Sequence, residues 1–527
     1  MAEALNRRRR LRIVVPAYPA FNIYSRIAKR TTALGPVCVA SAVHEIDRWD
    51  AEVIDENNLG RYGPRGATGG ADHRLLQTQR PADVVGFYGG LTSTIPRLYE
   101  VARLYQEMGV VTVAGGQHFA GSNVAEALSS GIDYVVFGEG EQAIRDLLEV
   151  VQGRRDARDV AGIAYLDKGQ VVRTAEREPL TDFEGYPLPD FSLVRYARIK
   201  LYPVERIRGC GMHCEFCTVR GTPRCASAER LLGNISNLVE TRNASHFFVV
   251  DDLFGQQRDE TVRFCRMLRQ YQERIGRQLV TTVQIRLDKA RDPELLEVMQ
   301  EAGIRHVAIG IESPIDEELL AMNKRVKSEE MLSLVQVFHR FGFWVHGMFI
   351  FGYPAASEAG FAMLASERAR RFRRFIRKAR IDTIQVLLPV PLPGTQLRDR
   401  LERQHRVYPT QDVGWEYYDG NFPLFEPDAP MTAPEMQRAV KRIMRWFYRF
   451  QYMFFVVASI LSFPALALSL HRLRLGWQKW YRRWQSRVIR FGGWITIRKW
   501  TCEFRKSDFL EKLQRARKRL QTVRHGA

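Results

Sequence analysis

The sequence predicts an α/β protein built as two successive parallel-sheet domains followed by a basic helical extension, and three observations predict it. Short apolar runs alternate with amphipathic stretches from residue 12 to about 151, the pattern of βα units whose strands are buried on both faces. A second such series runs from about 204 to 388, too short for a full eight-fold barrel. From about residue 434 the strand pattern stops and the chain reads as helical. Hydrophobic residues at 45% and charged residues at 26% exclude a wholly disordered chain and a polytopic membrane protein alike.

In the first series, strands are expected at 12–15, 52–55, 83–88, 111–114 and 133–137, with helices at 37–46 and 96–108. The Arg-rich start, Arg7 to Arg10, precedes an apolar run cut by Pro16 and Pro19, so it reads as a first strand and not as a signal peptide. Five units make a doubly wound, Rossmann-like sheet over residues 1–155, whose ligand belongs beyond the carboxyl ends of the strands. The loops there are rich in glycine: Gly89-Gly90-Leu91-Thr92-Ser93-Thr94, Gly115-Gly116-Gln117-His118 and Gly138-Glu139-Gly140-Glu141. Glycine lets backbone approach a ligand closely, although tight turns alone would use some of these. Residues 162–174 pattern as a hairpin about Lys168-Gly169, and 181–192 hold Pro187 and Pro189, so 156–200 is expected to be hairpin and linker.

The second series places strands near 204–208, 246–250, 280–285, 306–311, 344–351 and 383–388, a partial (βα)6 barrel over 201–400. A helical subdomain is expected at 401–450, and residues 451–527 form the tail. The basic stretch 368–380 reads most simply as a solvated helix face.

Charge is concentrated at the end. Residues 471–527 hold seventeen Lys/Arg against three Asp/Glu, so 14 of the 20 net positive charges lie there, with five of the nine Trp. Trp interleaved with Arg suits a lipid headgroup region. Residues 451–470 carry no charge, close to the length that spans a bilayer, but Pro464 interrupts them and both flanks are basic. An interfacial or re-entrant anchor fits this better than a span, a buried core helix being the alternative. Deleting 451–527 should then release the chain from membranes. Nucleic acid is the competing partner for such a tail, and the uncharged run beside it argues against that.

Three of seven cysteines, Cys210, Cys214 and Cys217, fall within eight positions just after an expected strand. Three thiolates on one tight loop can hold three corners of a cubane and leave the fourth iron open. A structural zinc would need a fourth ligand, for which Cys225 is available. Cys38, Cys265 and Cys502 are isolated and expected to be packed.

With this Cys-x3-Cys-x2-Cys loop, the chain resembles the radical S-adenosylmethionine superfamily, and in particular its cobalamin-binding branch. The likeness runs from about Leu11 to Tyr418 through Val136–Glu141, Phe248-Val249-Val250-Asp251-Asp252, Gln284-Ile285-Arg286, Gly310-Ile311-Glu312-Ser313, Met322-Asn323-Lys324, Gly347–Pro354 and Pro391-Leu392-Pro393-Gly394-Thr395. The resemblance implies a [4Fe-4S] cluster on Cys210, Cys214 and Cys217, with Phe216 near the adenine of S-adenosylmethionine. Asp251, Gln284, Arg286, Glu312 and Ser313 would hold the rest of that molecule. It implies cobalamin on the first domain, cradled by Gly90, Thr92, Ser93, Gly115, Gly116, His118, Gly138, Glu139 and Gly140. The histidine loop that the methionine synthase pattern places after the first strand has no counterpart, since the first histidine is His44, a lack that many members of the radical branch share. The lower cobalt face would therefore lack a protein nitrogen from that loop.

The function implied is C-methylation at an unactivated carbon of an apolar or lipid-like substrate, with a 5′-deoxyadenosyl radical abstracting hydrogen and methylcobalamin delivering the methyl. The same architecture resembles tetrapyrrole-cyclase-like enzymes without net methylation, and some relatives modify RNA. A one-electron donor such as flavodoxin or ferredoxin and a site at the inner face of the membrane complete the expectation. Trp415, Tyr417, Tyr418 and Asp419 are expected to form a packed domain seam or, alternatively, to line a substrate entrance.

Overall fold

In the computed structural model, which describes residues 8–461 and 474–526 apart from positions 68, 220, 325 and 356–360, the two strand series form two sheets. In the first, β1 (Arg9–Val15), β2 (Trp49–Asp55), β3 (Val84–Tyr88), β4 (Val111–Gly115) and β5 (Tyr134–Val136) lie in the order β5-β4-β3-β1-β2, every pairing parallel. Strand alternation sorts the core: Ile13 and Val15 pack under helices Leu34–His44 and Gly140–Val151, while Val14 joins Phe87 and Leu98 of helix Ile95–Glu107 on the other face. The order reverses between β1 and β3, which opens a crevice at their carboxyl ends.

Residues 156–200 belong to this same sheet. β6 (Ile163–Asp167) and β7 (Gln170–Arg173) form the hairpin about Lys168 and pair antiparallel onto β5, and β8 (Val194–Arg195) pairs beside β2. Edge pairing is carried by backbone hydrogen bonds, which a polar side-chain pattern does not announce.

β9 (Tyr202–Val204) is shorter and earlier than the expected 204–208. The chain then leaves the sheet, and β10 (Ile207–Arg208) pairs with β11 (Arg224–Cys225) in a two-stranded ladder. β12 (His246–Phe254), β13 (Val280–Ile285), β14 (Ile304–Glu312), β15 (Trp344–Ile350) and β16 (Thr383–Leu387) follow β9 in sequential parallel order, a six-stranded partial barrel. Helix Ala433–Phe447, begun by the Thr432/Glu435 capping box, packs on helix Ala365–Lys378 and β16. The Tyr448 hydroxyl donates to the Ile384 carbonyl at 2.7 Å and accepts from its N–H at 3.0 Å, which satisfies the open edge of β16. Arg368, expected on a solvated face, is fully buried and paired with Glu318 at 2.6 Å.

The tail divides in two. Trp500, Phe504, Phe509, Leu513 and Leu520 of helices Arg474–Lys506 and Phe509–Gly526 are buried in one cluster with Tyr417 and Phe422, so much of the Trp/Arg region serves as core. Helix Tyr452–Leu461 instead exposes Phe454, Phe455, Val457, Ile460 and Leu461. Among the described residues no helix is long and apolar enough to cross a membrane. The second half of the uncharged run, Pro464 included, lies outside the described residues.

Candidate functional site

The cysteine loop hangs from the β10–β11 ladder at its base. Gly209 has φ +86°, and a Cβ there would lie 2.6 Å from the Thr222 carbonyl oxygen, so only glycine permits the two arms to close. The Asp252 carboxylate accepts the Gly209 N–H at 2.7 Å. Inside the loop Glu215 is clamped: Arg400 donates through Nε at 2.6 Å and Nη2 at 2.8 Å, and the Tyr353 hydroxyl donates at 2.7 Å. Burial pushes the Cys214 and Cys217 thiols up, opposed at Cys214 by Lys324 and at Cys217 by the Val219 N–H. Phe216 packs edge-on to Tyr353, ring centroids 6.1 Å apart.

Three half-buried thiols on one loop, with Lys324 and Arg286 as nearby cations, fit a [4Fe-4S] cluster held at three corners. Among the described residues no three His, Cys, Asp or Glu side chains converge on a single-ion site.

Of the residues expected on S-adenosylmethionine, Gln284 and Arg286 stand at the carboxyl end of β13, with Arg286 Nη1 3.1 Å from the Met212 sulfur and paired to Asp288 at 2.8 Å. Glu312 closes β14 with φ +61° and pairs with Lys324 at 3.1 Å. Two of the expected residues are buried. Asp251 shares the outward face of β12 with Phe247 and Val249; its Oδ1 accepts the Arg206 and Ile207 N–H groups at 2.6 and 2.9 Å. Ser313 is fully buried and donates to Glu318. Asp251 Oδ2 is buried without a hydrogen-bond partner, and period-two alternation gives the other face of β12 to Asp252.

Beyond the carboxyl ends of β1, β3, β4 and β5 lies an apolar cavity of about 280 Å³, walled by Gly115, Gly116, Gly138 and Gly140 and by Val39 and Ile144 from the covering helices. Gly116 has φ +125°, and a Cβ there would sit 2.5 Å from the Gly89 carbonyl carbon. A largely apolar slot between sheet and helices, floored by glycine backbone, fits the bulky organic part of a corrinoid cofactor. His118 does not line this cavity. It is 1% exposed, turned away against Trp415 with ring centroids 4.8 Å apart, and burial pulls its pKa down to about 3. Thr92 and Ser93 are likewise buried in this seam, and Gly90 packs under the Tyr88 ring. Glu139 borders the cavity, but its carboxylate pairs with Arg224 at 2.7 Å and Arg208 at 3.2 Å. Trp415, Tyr417 and Tyr418 are packed, with Trp415 donating to Glu126 at 2.8 Å.

The two loop systems touch. Thr218, next to Cys217, donates to the Gln117 side chain at 2.7 Å, and Gln117 follows Gly116. Arg208, two residues before Cys210, lines the apolar cavity and pairs with Glu139 and Glu141. Thr218 and Arg400 lie in no motif, while Gln117, Glu215 and Asp252 lie inside the quoted stretches without having been singled out there; strand alternation could have found Asp252.

The radical SAM superfamily model matches residues 204–366 and the B12 binding domain model residues 27–148. The chain is 26% identical over 366 residues to the hopanoid C-2 methylase of Rhodopseudomonas palustris, across 68% of this chain and 63% of that one. It is 27% identical over 399 residues to the anaerobic magnesium-protoporphyrin IX monomethyl ester cyclase of Rubrivivax gelatinosus, across 71% and 67%. The fold matches the radical S-adenosylmethionine methyltransferase TsrM of Kitasatospora setae, solved with cobalamin and a [4Fe-4S] cluster (TM-score 0.62, 15% identity, 75% of each chain). It also matches the cobalamin-dependent radical enzyme OxsB with aqua-cobalamin (TM-score 0.61, 14% identity, 99% of this chain and 85% of that one).

Proposed function

Because the chain belongs to the cobalamin-binding radical S-adenosylmethionine enzymes, we propose that it is a C-methyltransferase acting on an unactivated carbon of an apolar or amphiphilic, lipid-like substrate. The observation that carries this reading is the 2.7 Å contact from Thr218 to Gln117, which brings the cysteine loop and the glycine loops to one seam. When bound, the cluster with S-adenosylmethionine supplies a 5′-deoxyadenosyl radical and cobalamin supplies a methyl group.

The chain's own residues join the cysteine loop to the first domain. Glu215, Arg400 and Tyr353 brace the cysteine loop, and Arg208 with Glu139 and Glu141 pins the barrel to the first domain. Gln284, Arg286 and Glu312 at the strand ends offer amide, guanidinium and carboxylate groups to the polar ends of S-adenosylmethionine. Thr282, His346 and Gln385 are half-buried and alternate with the buried core positions of β13, β15 and β16.

A membrane surface as the source of substrate is supported by the exposed apolar face of helix Tyr452–Leu461 and by the hopanoid methylase among the relatives. Seven unpaired cysteines suit a reducing, cytoplasmic face, with flavodoxin or ferredoxin as electron source. Ring formation without methyl transfer is the second reading, favoured by the cyclase among the relatives. Turnover of reconstituted protein with lipid extract separates them. Methyl transfer releases both S-adenosylhomocysteine and 5′-deoxyadenosine, and product formation without S-adenosylhomocysteine would leave the cyclase reading.

A further inference from the structure

A groove of about 340 Å³ lies between helices Ala365–Lys378, Ala433–Phe447 and Arg474–Lys506. Arg377, Arg380, Arg449 and Arg490 ring it, Trp446 and Phe447 floor it, and no carboxylate lines it. The hydrogen bonds that these guanidiniums make go to neutral groups. Arg449 Nε donates to the Trp446 carbonyl at 2.6 Å, and Arg490 donates to the Tyr452 hydroxyl at 3.0 Å and the Ile381 carbonyl at 3.4 Å. Arg490 Nε is buried without a partner, its guanidinium 4.4 Å from the Phe447 ring centroid. On helix Ala365–Lys378, by contrast, Arg368 pairs with Glu318 and Arg371 with Glu367.

Four converging cations repel one another, and a half-buried guanidinium with an unmet donor is costly unless an anion completes it. Tyr452, at the edge of the groove, begins the exposed apolar helix, so the four arginines sit at the base of a protruding hydrophobic element. Side chains that enter the acyl region place the base of such an element at headgroup depth.

We propose that this groove is a binding site for the phosphate of an anionic membrane phospholipid, which seats the enzyme on the bilayer with helix Tyr452–Leu461 inserted. The site rests on the membrane reading above. The test is co-sedimentation of the reconstituted full chain with phosphatidylcholine vesicles and with vesicles containing phosphatidylglycerol. Wild type should prefer the anionic vesicles. R377Q/R380Q, at exposed positions, should lose roughly fivefold of that preference per arginine, and R490Q should lower it without change at the rim, both keeping their binding to phosphatidylcholine. R370Q/R374Q makes the same charge change in a separate groove that also holds Glu329 and Glu367, and should cost less. Equal losses from both pairs, or an unchanged preference, would overturn the site while leaving the apolar anchor intact. Failure to bind either vesicle would overturn the membrane reading and the lipid site with it. A thermal shift with inorganic phosphate, present in wild type and absent in R490Q, would in that case assign the groove to a free phosphate.

Discussion

Asp419 sits beside the end of β16, where the neighbouring Gly420 carbonyl accepts the Leu388 N–H at 2.7 Å. Its Oδ1 accepts the Asn421 N–H at 2.9 Å, but its Oδ2 is buried without a partner, and burial pushes its pKa up to about 7. The Tyr24 hydroxyl is near it, also buried without a normal hydrogen bond and raised first by burial and then by Asp419. The fold therefore accommodates the protonated acid. Relative to an ordinary carboxyl near 3.8, the stability this group contributes is full at acidic pH and lost as pH rises through about 7. Asp419→Asn should melt nearest the wild-type temperature at or below about pH 3.8 and progressively above it as pH rises to about 7, where the gap levels off. A temperature gap that does not vary with pH would contradict the assignment.

At the scale of the element, the cysteine loop depends on groups outside it. Glu215 is 8% exposed and takes a two-pronged contact from Arg400 of helix Gln396–Arg403, while its own N–H and carbonyl bond Met322 and Leu397. Glu215→Gln keeps the shape but leaves the guanidinium without its counter-charge, a loss of about 1–3 kcal/mol. Lower melting is expected together with fewer irons retained after anaerobic reconstitution, read by iron analysis and the spectrum of the reduced cluster. A variant that melts early but keeps a full iron complement would confine Glu215 to general stability. The β12 strand teaches the same point: of adjacent Asp251 and Asp252, one braces the loop after β9 and the other the loop glycine, a choice made by which face meets the helices.

Across the whole molecule the tail is a structural part of the enzyme. Helix Phe509–Gly526 inserts Phe509, fully buried, against Tyr417 and Phe422; Tyr417 stacks in turn on Phe21, and Phe422 meets Phe21 edge-on. Lys441, 3.5 Å from the Phe504 ring centroid, has its pKa pulled down to about 8 by burial first and by Arg445 and Arg505 next. Phe509→Ala should cost about 3–5 kcal/mol, seen as a drop in melting temperature and in soluble yield; an unchanged melt would mean that the helix does not dock. Deleting residues 451–527 would strip this core together with the exposed helix. Membrane release is therefore better read from Phe454, Phe455 and Leu461 changed to Ser, which lie outside the packed cluster.

Two parallel sheets and the cysteine loop were legible because local periodicity and a thiol spacing encode them directly: buried parallel strands must be apolar, and the three thiols fall within eight positions. The glycines of the cavity were legible for the same reason, since close backbone approach demands that residue at that position. Only tertiary structure decided that 156–200 joins the first sheet, that Asp251 and Ser313 turn away from the barrel interior, that His118 is packed under Trp415, and that half of the Trp/Arg tail is core. Each of those outcomes depends on what lies opposite a side chain. A residue's chemistry is written in the sequence, but its neighbour, and therefore whether it binds a ligand or braces a loop, is set by segments one hundred or more residues away, as in the pairing of Glu215 with Arg400.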